Sequence, residues 1–101
     1  MASLTFNDFA REQIAQLPRD DDLLRAIWKQ LELAADDPEF YTVSPPPFPH
    51  RQDRRLFTFR ADDSQGEEWA FSVLFAHEGD EMRVTFFAFN PAQDYPTLEE
   101  N

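Results

Sequence analysis

Arg55-Leu56-Phe57-Thr58-Phe59-Arg60, then Trp69-Ala70-Phe71-Ser72-Val73-Leu74-Phe75, then Met82-Arg83-Val84-Thr85-Phe86-Phe87-Ala88-Phe89: these three runs decide the fold. In the first, Phe57 and Phe59 share one alternation. In the second it is Trp69, Phe71, Val73 and Phe75, and in the third Met82, Val84, Phe86 and Ala88. Successive side chains of a strand point to opposite faces, so this period of two predicts three strands. The connections are short: a polar loop from Asp62 to Glu67 containing Gly66, and a tighter turn, His77-Glu78-Gly79-Asp80-Glu81, around Gly79. Consecutive strands joined in this way form an antiparallel meander, here over residues 55–90. Leu74, Phe87 and Phe89 fall on the other alternation, so parts of both sheet faces are apolar. Helices can cover one face only. The other either meets the segment from Ala92 to Leu98 or is a contact surface.

Upstream, the period changes. Residues 3–6 are short and β-prone, as an edge strand would be. Asn7 or Asp8 supplies a helix N-cap, and Ala10, Ile14 and Leu17 follow at i, i+4 and i+7 until Pro18 halts the helix. Asp20, Asp21 and Asp22 open a second helix, whose broad apolar face is Leu23, Leu24, Ile27, Trp28, Leu31, Ala34 and Ala35. Asp36-Asp37-Pro38 closes it. Residues 8–36 therefore read as a helical hairpin, 44–50 as a Pro-rich extended connector and 92–101 as a tail. The resulting class is α+β, of order βααβββ, with the hairpin laid on a small antiparallel sheet. Leu24, Ile27, Trp28 and Leu31 are expected against Phe57, Phe59, Trp69, Phe71, Val73 and Phe75, or against the opposite alternation if the register is reversed.

A length of 101 residues suits one domain with one core. The absence of Cys removes disulfides and thiolate chemistry and points to a reducing cytoplasm. No run approaches the ~20 apolar residues that span a bilayer. Net charge is −11, which argues against anionic membranes and direct DNA binding. The bases are uneven: Arg51, Arg54, Arg55 and Arg60 fall within ten residues holding one acid, Asp53. That local +3 leaves −14 on the other 91 residues. Either the arginines pair with the acidic helices, or Arg51, Arg54 and Arg55 form a partner-binding site.

Other chemistry is sparse. The aspartate triplet has an ordinary role at a helix start, because hard-cation sites need oxygens converging from more than one turn. His50 beside the arginines is a weak acid–base candidate, and His77 belongs to a solvated hairpin. The histidines and carboxylates lack zinc spacing, two glycines make no nucleotide cradle, and no metal or cofactor is implied.

Strand, two helices and a three-strand meander resemble the RelE/ParE toxin superfamily. Arg55 to Arg60 is similar to that family's first meander strand, Trp69 to Phe75 to its second, with Val73-Leu74-Phe75, and Met82 to Phe89 to its third. Tyr95 falls near the tail tyrosine of ribosome-dependent members. The resemblance implies a toxin-superfamily protein encoded with an antitoxin. In its nuclease branch, basic residues on these strands hold and polarise the scissile phosphate of mRNA. Here Leu56, Thr58 and Ser72 stand where basic residues would be expected, and Asn90-Pro91 replaces the basic pair after the last strand. Arg60, Arg83 and Tyr95 remain as candidate catalytic residues. The expected function is action through protein contacts with reduced or absent catalysis; the alternatives are an active ribosome-dependent mRNA interferase and an acidic mimic of nucleic acid. An antitoxin or another protein is the expected partner, and the acidic balance argues against the ribosome.

Overall fold

Three side-chain caps set where the helices begin. The computed structural model describes residues 3–43 and 54–92. The elements are β1 (Ser3–Phe6), α1 (Asp8–Ile14), α2 (Asp21–Asp36), α3 (Pro38–Tyr41), β2 (Arg54–Asp62), β3 (Glu68–Glu78) and β4 (Glu81–Pro91). Asn7 Oδ1 accepts from the Ala10 amide at 2.8 Å and Asp20 Oδ1 from the Leu23 amide at 3.0 Å. Each satisfies one of the donors that a helix start leaves unpaired. Asp37 ends α2, then caps α3 by accepting from the Phe40 amide at 3.4 Å. This short third helix was not expected. Pro38 closes α2 but is well tolerated in a first turn, where its missing N–H costs nothing. The Pro-rich connector at 44–50 and the tail beyond Ala92 lie outside the described residues.

The chain is α+β, and the sheet order is β1-β4-β3-β2. β2, β3 and β4 form the antiparallel meander, with Phe57 opposite Val73 and Phe59 opposite Phe71. Gly79 stands first in the two-residue turn between β3 and β4, and its φ of +57° suits a position that side chains rarely occupy. β1 is an edge strand, but it runs parallel to β4, pairing Leu4 with Met82 and Phe6 with Val84. The sheet is therefore mixed and not wholly antiparallel. The helices, β2 and β3 intervene between β1 and β4, and so long a connection lets an edge strand enter in either direction.

The third strand does not alternate strictly. Leu74 pairs with Phe86 and Phe75 with Val84, so Thr85 is an extra residue on β4. This bulge reverses the alternation beyond it. Met82, Val84, Phe87 and Phe89 share the helix-facing side, whereas Phe86 and Ala88 face outward. The expected grouping of Met82, Val84, Phe86 and Ala88 is corrected accordingly.

The core lies between α1–α2 and that inner face. Leu23, Ile27 and Leu31 of α2 meet Phe57, Phe71, Val73, Phe75, Val84 and Phe87, all buried. Ala10 and Leu17 seal the end nearest α1. Trp28 departs from expectation: it is 49% exposed, and its ring contact is edge-on to Phe6 at 5.6 Å. On α2 it lies at the margin of the apolar stripe, over edge strand β1 and away from the central rings. Beyond Phe6 no strand among the described residues continues alongside β4, and Gln13 of α1 accepts the Phe87 amide at 2.7 Å. A side chain thus satisfies a donor that the sheet edge would leave open.

Candidate functional site

Cross-strand pairs place one set of residues together on the outer sheet face, the side away from the helices. Its middle row runs Phe86, Leu74, Leu56 across β4, β3 and β2. At one end Val43 extends it through an isolated antiparallel bridge to Leu56, and at the other Phe9 of α1 stacks on Phe86 at 6.1 Å. Val43 is 60% exposed and Phe9 54%, and the three between them are half-buried. An apolar stripe therefore crosses the sheet, and no described element covers it.

The arginines bracket the stripe. Arg54, Ala76 and Arg83 form the next row on one side. Ala76 is buried yet stands outside the core cluster, between the two arginines. On the other side come the small residues Thr58, Ser72 and Ala88, then Arg60 opposite Ala70. Arg60 pairs with Glu68 at 3.2 Å and Arg83 with Glu81 at 2.6 Å, both substantially exposed. Exposed pairs of this kind hold little energy, about 0–1 kcal/mol. Six residues of β3 separate the Arg60 row from the Arg83 row, ~20 Å at ~3.3 Å per residue. The structure does not bring these two candidate catalytic residues together. Tyr95, His50 and Arg51 lie outside the described residues.

Arg54 and Arg55 separate sharply, as neighbours on a strand must. Arg54 is exposed on the outer face, whereas Arg55 points inward to the end of α3. Its Nε donates to Thr42 Oγ1 at 2.7 Å, and its Nη2 donates to the Thr42 carbonyl at 2.8 Å and the Pro38 carbonyl at 3.5 Å. Thr42 is itself buried. A cation at a helix C-terminus meets the negative end of the dipole and fills carbonyls that the helix leaves unpaired. Arg55 therefore has a structural role, but among the described residues its partners are carbonyls and a hydroxyl rather than the acidic residues expected from charge alone.

Two aspartates make a second polar cluster where the 62–67 loop meets α2. Asp20 Oδ2 accepts from Ser64 Oγ at 2.7 Å and from the Ser64 amide at 3.0 Å, in addition to capping α2. Asp63 Oδ2 accepts from the Trp69 indole at 3.1 Å, and its Oδ1 accepts from the Gln65 and Glu67 amides at 2.9 Å. The Ser64 hydroxyl, with the Leu23 and Ser64 amides, holds Asp20 below the ordinary aspartate value. The Trp69 indole, with the loop amides, does the same for Asp63. Hydrogen bonds to the ionised form are the cause in both. Among the described residues no group of three or more His, Asp or Glu side chains is placed to hold a metal ion. The cluster's visible work is to tie the start of α2 to a loop 44 positions away in sequence.

That tie sets a pH dependence. A lowered carboxyl value stabilises the fold at pH above the ordinary aspartate value, about 4, and the contribution is lost as pH falls below it. Thermal melts from pH 7 to pH 2 are expected to show wild type losing stability over the acid end. Asp20→Asn keeps a capping oxygen but cannot ionise, so it should start lower at pH 7 and fall less steeply. Parallel curves for the two proteins would show that the carboxylate charge at Asp20 contributes nothing.

Comparison with family models, with curated proteins and with solved structures returns no match. Among the described residues, no helix is long and apolar enough to cross a membrane.

Proposed function

We propose that this chain is a RelE/ParE-like protein that acts through protein contacts at its outer sheet face, its catalytic function reduced or lost. The order of strand, helices and meander supports the family reading. One observation carries the functional part: between Arg60 and Arg83 the face holds Leu56, Thr58, Ser72, Leu74, Phe86 and Ala88. Cleaving a phosphodiester needs cations at the developing charge and a group that moves a proton, converging on one atom. Among the described residues this face offers an apolar surface instead, with its two candidate cations at opposite ends. Partly exposed apolar surface rimmed by polar side chains suits a protein partner.

Translating ribosomes supplied with the purified protein are expected to keep their message intact. Codon-dependent cleavage that disappears in Arg60→Ala would replace this proposal with the nuclease alternative. Affinity capture of the tagged chain from its native host should retain a defined protein in stoichiometric amount, and Leu74→Glu should release it while leaving the fold intact.

A further inference from the structure

The two edges of the sheet are protected in different ways, and the difference gives Gln13 a task. We infer that Gln13 guards the β4 edge: by holding the Phe87 amide it keeps β4 of a second copy of this chain from adding there as a further strand. The edge and the outer face are separate surfaces, so the guard is independent of the protein-contact reading above.

Val84-Thr85-Phe86-Phe87-Ala88-Phe89 is a run of β-prone and apolar residues with no charge, Pro or Gly. A segment of this kind pairs readily with copies of itself when its edge is bare. β1 covers only its beginning, since their register ends at Phe6 opposite Val84. Past that point the edge is met by Asn7 and α1. The Asn7 amide donates to the Val84 carbonyl at 3.0 Å and Asn7 Nδ2 to the Thr85 carbonyl at 3.4 Å, while the Phe87 amide donates to Gln13 Oε1 at 2.7 Å. Strand alternation turns the N–H and C=O of Phe89 to the same side as those of Phe87, so a strand that displaced Gln13 would find a ladder to extend. Among the described residues no strand lies there. Phe9, stacked on Phe86, and Ala10, buried in the core, set α1 astride this edge and so place Gln13 over it. A helix of seven residues is marginal by itself, and its hold on the edge rests on these contacts. The opposite edge is protected differently. Past its bridge to Val43, β2 carries exposed Arg60 and Asp62 on the strand itself, and charges in that position discourage added strands. β4 has no charge between Val84 and Phe89, and a side chain from another element stands in.

The test compares the full chain with Gln13→Ala, Gln13→Glu and Gln16→Ala. Alanine favours the helix but removes the acceptor, glutamate keeps an acceptor oxygen, and Gln16 is an exposed glutamine close by. Amide hydrogen exchange read by NMR should show Phe87 exchanging about tenfold faster in Gln13→Ala than in wild type, and unchanged in the other two. Size exclusion with light scattering, and thioflavin fluorescence, should find wild type, Gln13→Glu and Gln16→Ala monodisperse. Gln13→Ala should pass into β-rich assemblies. Adding Ala88→Lys to it, a charge on the strand that would pair, should restore the monodisperse state. If Gln13→Ala and wild type behave alike, both monodisperse or both associated, Gln13 is no guard. Assembly that Ala88→Lys fails to suppress would overturn the β4 edge as the surface involved. Loss of the fold in Gln13→Ala, seen by circular dichroism, would overturn the guard in favour of a purely structural contact.

Discussion

Phe71→Ala is expected to lower stability by about 3–5 kcal/mol, enough to bring the protein close to unfolding at ordinary temperature. Phe71 is buried at the centre of the sheet, stacked on Phe59 at 4.8 Å and facing Phe87 at 5.7 Å. Truncation removes the ring's transfer free energy and leaves a cavity that strands on both sides prevent from closing. Its aromatic neighbours lose their stacking as well, each pair being worth about 0.5–1.5 kcal/mol beyond area. In a domain of this length the melting midpoint should drop by at least about 12 °C. Trp28→Ala is the control. The larger ring is half exposed and touches only the margin of the core, so its loss should cost about 1 kcal/mol, a usual value for a point substitution. Equal effects of the two substitutions would mean that α2 sits on the sheet in a different rotation from the one described.

Arg55→Gln should cost about 2–3 kcal/mol, although arginine substitutions on a surface are usually silent. The guanidinium supplies the buried Thr42 with hydrogen bonds at both its hydroxyl and its carbonyl, and also reaches the Pro38 carbonyl. Glutamine is too short to reach all three, and a buried acceptor without a donor bears its full desolvation cost. Arg54→Gln, one residue away, should leave the melting midpoint within a degree or so, because that side chain is exposed on the outer face. Urea titrations of the two single variants read the contrast directly. If Arg55→Gln is as silent as Arg54→Gln, the guanidinium does not hold α3 to the sheet.

These paired outcomes mark where local sequence loses its grip. Phe57, Phe59, Phe71, Val73 and Phe75 are legible as one inner face because strand geometry alone forces alternate side chains to the same side. The starts of α1 and α2 are legible for the same kind of reason: Asn7 and Asp20 bond amides three residues ahead, a contact within reach of any chain beginning a helix. Thr85 is different. Whether a strand holds an extra residue depends on the strand beside it, and so Phe86 and Phe87 exchange faces against their apparent period. The direction of β1, too, is a property of its pairing with β4 and is not legible in Ser3–Phe6 alone.

The candidate site follows the same division. Sequence by itself determined that four arginines crowd into a chain of acids, that Leu56 and Thr58 share an alternation, and that both sheet faces carry apolar side chains. Those are facts of composition and period, readable without a partner. Only the tertiary structure decided that Arg54 joins Arg83 while Arg55 turns to Thr42, and that Arg60 stands ~20 Å from Arg83. It likewise decided that Val43 and Phe9, far apart in the chain, complete one stripe with Leu74. Adjacency across strands is set by register, a property of pairs of segments, and no single segment encodes it.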